Sequence, residues 1–347
     1  MSDAHWGLAV PVAKKVAGNY PLAETYHFAQ MKEQMPELFS RAADMVGSET
    51  GLATPGVPEL RVVTRGEWAN RNMRMFTRLL APLEEKIAAR LEAVGRDGPS
   101  PALARRIMAV ETGALLGVLA KRVLGQYELV LPDDDEGDVV ALVGANVLML
   151  ERQQQFRPAE FRMWIALHEA THRAQFLGVP WLRGYFLDLV QGLVANAGPV
   201  SGRLTRLVAE AVAAGRTGQP IIDDTGLLGL LATPEQRVAI DKVQALMSLL
   251  EGHGHVVMDR IGARVLRSQA RMSTILKARR RDPRTAMLFR LLGMEMKFKQ
   301  YELGEAFINF VEREAGWERL DRAWQSPATL PTLDEIHRPA EWCQRVA

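Results

Sequence analysis

"WIALHEATHRAQFLGVPW", residues 164–181, is the stretch on which the reading of this chain turns. His168 and His172 stand four residues apart, and Glu169 follows the first directly. Upstream, Arg157-Pro158-Ala159-Glu160 has the form of a helix start, because proline suits a first turn where its missing N–H costs nothing. On a helix, positions i and i+4 share a face, with Cβ atoms roughly 5–6 Å apart. Two imidazole nitrogens can then converge on one cation at about 2.0–2.1 Å, the usual Zn–N distance. Glu169 is turned about 100° around the helix from His168, which leaves its carboxylate beside such an ion rather than on it. There it can take a proton from a water that zinc has acidified. Phe161, Trp164, Ile165, His168, His172 and Phe176 fall near one stripe, so the histidines are expected to face inward. The alternative is a pair of core histidines satisfied by hydrogen bonds. Paired inward imidazoles nevertheless need a cation or a carboxylate to offset their desolvation.

A catalytic zinc ordinarily has three protein ligands and one open position. The next histidine after His172 is His253, so the third ligand must come from a distant segment. "MSLLEGHGHVVMDR", residues 247–260, offers Glu251, His253, His255 and Asp259. Glu251, His255 and Asp259 share one helical face by spacing, and His253 lies on another. Thr233-Pro234-Glu235 opens the helix that carries them, with a cap, then proline, then an acid, and the pattern runs to about Ile261. Gly252 and Gly254 each weaken a helix by up to ~1 kcal/mol relative to alanine. Close packing against the first histidine helix would account for them. Tyr301, in "MKFKQYELGEAF" (296–307), is a candidate donor to a developing oxyanion, set against a plain reading as a packed helix tyrosine.

Composition bounds the rest. The chain has 347 residues, 48% apolar and 24% charged, with a net charge of +2. That is ample material for a core and too little charge to imply a nucleic acid or a membrane as partner. Cys343 is the single cysteine, which excludes an intrachain disulfide and leaves metal ligation to His, Asp and Glu. This suits a reducing compartment. The apolar run "VVALVGANVLML" (139–150) is too short to span a bilayer, and the N-terminus lacks the basic and long apolar regions of a signal peptide. A cytoplasmic protein is expected.

Helical spacing predicts a helix over 22–46, and "LRVVT" (60–64) reads as a strand. A helix follows that Pro82 should kink, and another covers 100–125. Valine-rich segments at 126–132 and 139–147, joined by "DDDEGD", read as a β-hairpin running almost directly into the histidine helix. The basic stretch 263–281 is expected to be a solvated helix, followed by a helix over 285–315 and a Pro-rich tail. The expected division is an N-terminal helical region with a short strand, 1–125, and a catalytic region, 126–347, in one integrated unit.

Several stretches carry a family resemblance: "VVTRGEWANRNM", "LGQYELVLP", "FRMWIALHEATHRAQF", "PWLRGYF", "ALMSLLEGHGHVVMD", "LLGMEMKFKQYELGEAF" and "LPTLDEIHRPAEW". Together they resemble the zincin-like hydrolase family of actinobacteria and relatives, one branch of which is associated with deazaflavin coenzyme biosynthesis. The resemblance implies a mainly α fold, with a gluzincin-type pair of metal helices and a small sheet or hairpin next to the active helix. "LEGHGHVV" is similar to the E-G-x-A-x-aromatic stretch that supplies the glutamate ligand in many gluzincin-type peptidases, with Gly254 at the alanine place and Val256 at the aromatic one. This favours Glu251 as third ligand. His255 remains the alternative ligand, or a group beside the ligands or at the transition state. In thermolysin-like gluzincins an aspartate stands four residues after the glutamate ligand. His255 stands there in this chain, so carboxylate support for a histidine is sought elsewhere, with Asp259 a candidate.

The expected function is a zinc-dependent hydrolase that cleaves a peptide or amide bond with metal-activated water. His168, His172 and Glu251 would hold Zn2+, and Glu169 would be general base and then proton donor. An edge strand of the hairpin would pair with an extended substrate. The competing expectation is a non-catalytic helical binding protein with a structural or vestigial zinc, its coordination closed by both Glu251 and His255.

Overall fold

The computed structural model describes residues 7–75, 77, 101–128, 138–195, 234–280 and 296–347. Its helices are α1 (Ala9–Ala17), α2 (Tyr26–Thr50), α3 (Pro101–Leu119), α4 (Gly144–Gln154), α5 (Pro158–Gly178), α6 (Leu182–Ala195), α7 (Pro234–Val265), α8 (Gln269–Arg280), α9 (Met296–Ala315), α10 (Leu333–His337) and α11 (Pro339–Arg345). Its strands are β1 (Glu59–Val63), β2 (Gly125–Tyr127) and β3 (Val139–Val143). The protein is mainly α with one small sheet. The kink expected at Pro82 lies outside the described residues, as do 196–233 and 281–295. Among the described residues no helix is long and apolar enough to cross a membrane.

The sheet has the order β1-β3-β2. Central β3 runs parallel to β1, from Glu59↔Val139 to Val63↔Val143, and antiparallel to β2, with Gly125 opposite Leu142 and Tyr127 opposite Val140. All five residues of β3, VVALV, are buried, as an unbroken apolar run requires of a strand covered on both faces. The expected hairpin is therefore present, but its second strand ends at Val143. Gly144–Gln154 is helix α4, so the hairpin does not lead straight into the histidine helix. A short apolar run cannot by itself separate strand from buried helix, and here one run contains both. Gln155, in the left-handed conformation at φ 50°, then ends α4 before α5 begins.

The chain divides into two units, residues 1–178 with 261–272, and residues 179–260 with 273–347. In the first, α1 packs on α3 through small residues: a Cβ on Gly113 or Gly117 would run into the backbone of Ala9 or Ala13. Ala9, Ala13, Ala17, Trp68, Met73, Leu116 and Val143 belong to the core there. Helix α5 is held by two buried arginines. Arg162 donates to Glu151 at 2.8 and 3.0 Å, and to Gln34 at 2.9 Å. Arg173 donates to Asp138 at 2.7 Å and to the carbonyls of Pro55 and Gly56 at 2.8 and 3.0 Å. Buried pairs of this kind fix geometry more surely than they add stability.

In the second unit the segment read as a Pro-rich tail is ordered. Two 3-10 segments, Trp317–Trp324 and Pro327–Thr329, precede α10 and α11. Trp342 is fully buried, meets Phe307 at 5.3 Å edge to face, and donates to Thr329 O at 2.9 Å. Thr332 caps α10 reciprocally with Glu335, and Arg345 reaches Glu335 and the carbonyls of Ala328 and Leu330. Burial pushes the Glu335 carboxyl up, but the Arg345 guanidinium and the Thr332 backbone N–H outweigh it and hold it below its ordinary 4.5. A depressed carboxylate contributes stability that is present above its unfolded value and lost as pH falls through its folded one. Thermal unfolding should therefore show Thr332→Ala less stable by about 1 kcal/mol near neutral pH. Glu335→Gln should be destabilised there too, and its deficit against wild type should shrink as pH falls below 4.5.

Candidate metal centre

Helix α5 begins at Pro158, as its Arg-Pro-x-Glu start predicts, and is buried along most of its length. Phe161, Trp164, Ile165 and Phe176 are core residues, whereas His168 and His172 are only half-buried. The two Nε2 atoms lie 3.2 Å apart, and the rings meet edge to face at 4.5 Å. Two ligands held at about 2.0–2.1 Å on neighbouring corners of a tetrahedron would lie about 3.3–3.4 Å apart. The pair therefore fits a zinc ion as it stands. His172 Nδ1 faces Gln175 Oε1 at 2.9 Å. With a carbonyl oxygen opposite, Nδ1 donates, so Nε2 keeps the lone pair that a metal needs. Trp164, one turn before His168, stacks nearly parallel to it with ring centroids 6.4 Å apart. Gln175 was not among the expected site residues, although its i+3 position after His172 places it on the same face.

Glu169 is buried, with 4% of its surface exposed. Its carboxylate lies against the backbone of β2 at Gly125. That strand is one of the two outer members of the described sheet and packs on α5, with Tyr127 stacked on Phe176 at 6.4 Å.

Glu251, His253 and His255 are all buried on α7. His253 sits among aromatics, stacked on Trp317 at 5.7 Å and edge-on to Trp324 at 5.2 Å, which matches its expected place on a different face. Asp259 lies 4.0 Å from the Lys277 ammonium. Gly252 does pack closely, but its nearest neighbour is Gly304 of α9, not the histidine helix. The two glycines let α7 and α9 cross backbone to backbone, directly beside Glu251. Tyr301 is on α9, and its side chain lies outside the described residues. Among the described residues, one group of His, Cys, Asp and Glu side chains has the arrangement to hold a metal: His168, His172 and Glu251, whose ligand atoms all lie within 4.8 Å of one another. His255 is not in that group.

The family model described as zincin-like metallopeptidase matches residues 4–343. The chain belongs to the zincin-like metallopeptidase family. This zincin-like chain is also similar to a solved structure from Chloroflexus aurantiacus, described as "a putative hydrolase with a novel fold". The two are 30% identical with a TM-score of 0.72, over 98% of this chain and 97% of that one. None of the curated proteins compared matches it.

The glycine crossing beside Glu251 gives a direct test of packing in this zincin-like chain. Gly304→Ala places a methyl group against the backbone at Ser248 and Gly252. Denaturant unfolding should show a loss of about 1–3 kcal/mol from overpacking, against the ~1 kcal/mol gain that alanine brings to an ordinary helix interior.

Proposed function

We propose that this chain is a zinc-dependent hydrolase that cleaves a peptide or amide bond with water. In this reading His168, His172 and Glu251 hold the metal, and Glu169 is the general base and then the proton donor. The observation that carries it is the donor group itself, two imidazoles and one carboxylate with their ligand atoms within 4.8 Å. Three protein donors leave a tetrahedral ion one position for water or substrate, which favours a catalytic site over a closed structural one. Family membership and the hydrolase description of the Chloroflexus structure support the same reaction class.

When bound, zinc supplies Lewis acidity, polarising a carbonyl and lowering the pKa of water to about 7. The remaining work falls to the chain. The Glu169 carboxylate takes a proton from the attacking water and passes it to the leaving nitrogen, so one group serves both halves of the reaction. Gln175 orients the imidazole of His172. His255 and Tyr301 are the candidate donors to the developing oxyanion. Strand β2, at the outer side of the described sheet and against α5, offers backbone groups that an extended substrate can pair with.

Metal analysis and turnover of a quenched-fluorescent peptide mixture test this together. Wild type and Glu169→Gln should both carry zinc, and His172→Ala should lose it. Glu169→Gln should lower turnover by about 10²–10⁴-fold. Gln175→Ala should weaken zinc binding by about 10–100-fold in a chelator competition. Zinc retained in His172→Ala, or full turnover in Glu169→Gln, would refute the assignment.

A further inference from the structure

Gly125 is a glycine that its own backbone does not require. The glycines with positive φ are Gly18, Gly51, Gly56 and Gly316 among the described residues, and Gly125 is not one of them. A glycine inside a strand gives up side-chain packing and costs conformational entropy, and it often marks a place where something approaches the backbone closely. Here that something is Glu169. A methyl group on the Cα of residue 125 would lie 2.6 Å from Glu169 Oε1, 2.7 Å from its Cγ and 2.8 Å from its Cδ. The three nearest atoms all belong to the carboxylate end of one buried side chain.

Neither neighbour of this contact can retreat easily. Strand β2 is tied to β3 by the bonds from Val143 N to Leu124 O and from Glu128 N to Val139 O, each 2.9 Å. Trp68 Nε1 donates to Gln126 at 2.7 Å, and Arg71 Nε donates to Glu128 at 2.7 Å. On the other side, Arg162 and Arg173 fix α5 to α4 and to the start of β3. A side chain at 125 would therefore move the carboxylate rather than the strand or the helix.

We propose that Gly125 is a positioning residue: its bare Cα is the wall against which the Glu169 carboxylate is seated, and it sets where that carboxylate can lie. The catalytic consequence rests on Glu169 being the base. The packing consequence does not.

A double-mutant cycle on thermal stability tests the packing. Gly125→Ala should lower Tm by several degrees in wild type and by little in Glu169→Ala, where the methyl group takes the vacated space. A crystal structure of zinc-free Gly125→Ala should show β2 in place and the Glu169 carboxylate displaced by about 1 Å, a shift large enough to cost about a hundredfold in rate. On the quenched peptide mixture, that loss should appear in kcat with KM little changed, and zinc affinity should equal that of wild type. Equal Tm losses in both backgrounds, or a carboxylate that stays while the strand moves, would overturn the proposal. A wild type that cleaves nothing in the mixture would remove the hydrolase reading, while the Tm cycle and the crystal structure still decide the role of Gly125.

Discussion

Two imidazole nitrogens 3.2 Å apart must share a proton or a cation, because two bare lone pairs at that distance repel. Much of α5 follows from that constraint. The helix supplies the i, i+4 spacing that brings the nitrogens together, and Gln175 selects the tautomer that leaves Nε2 of His172 basic. The flanking arginines hold the scaffold still. Arg162 secures the helix before the histidines and Arg173 directly after them, each through a guanidinium whose several donors are met by carboxylates, an amide or backbone carbonyls. A site on a helix pinned at both flanks has little freedom to drift, which suits ligands that must converge within tenths of an ångström.

Close backbone approach is the second theme, and glycine is its means. Gly113 and Gly117 let α1 and α3 touch. Gly252 and Gly304 do the same for α7 and α9, beside Glu251. At Gly125 the approaching group is a carboxylate instead of a backbone. None of these glycines is needed for an unusual φ, since none is among those with positive φ. Each is there for the volume that it does not fill.

This explains what the sequence could and could not reveal. Strongly local signals were legible: the Arg-Pro-x-Glu start of α5, the proline that opens α7, the β1 strand and the hairpin pairing of β2 with β3. The i, i+4 spacing of His168 and His172 was legible too, and it brings their Nε2 atoms to 3.2 Å. Long-range information was not legible. The run from Val139 to Leu150 is apolar throughout, so the switch from strand to helix at Gly144 leaves no trace in its hydropathy. Nothing local to Gly252 points to its packing partner Gly304, so the sequence alone does not identify α9 as the neighbour. The C-terminal prolines read as a Pro-rich tail, whereas Trp342 anchors two short helices there.

The mixed sheet also has a kinetic consequence. β2 and β3 can find each other as a hairpin, but β1 must join β3 in parallel across the whole of α3 and the residues around it. Pairings between distant segments are slow to form, because loop-closure entropy opposes them before any contact rewards them. The helix bearing the two imidazoles packs on β2, so its docking needs the hairpin and not the parallel closure. Glu169 can therefore settle against Gly125 as soon as β2, β3 and α5 are on hand, whether or not β1 has joined them.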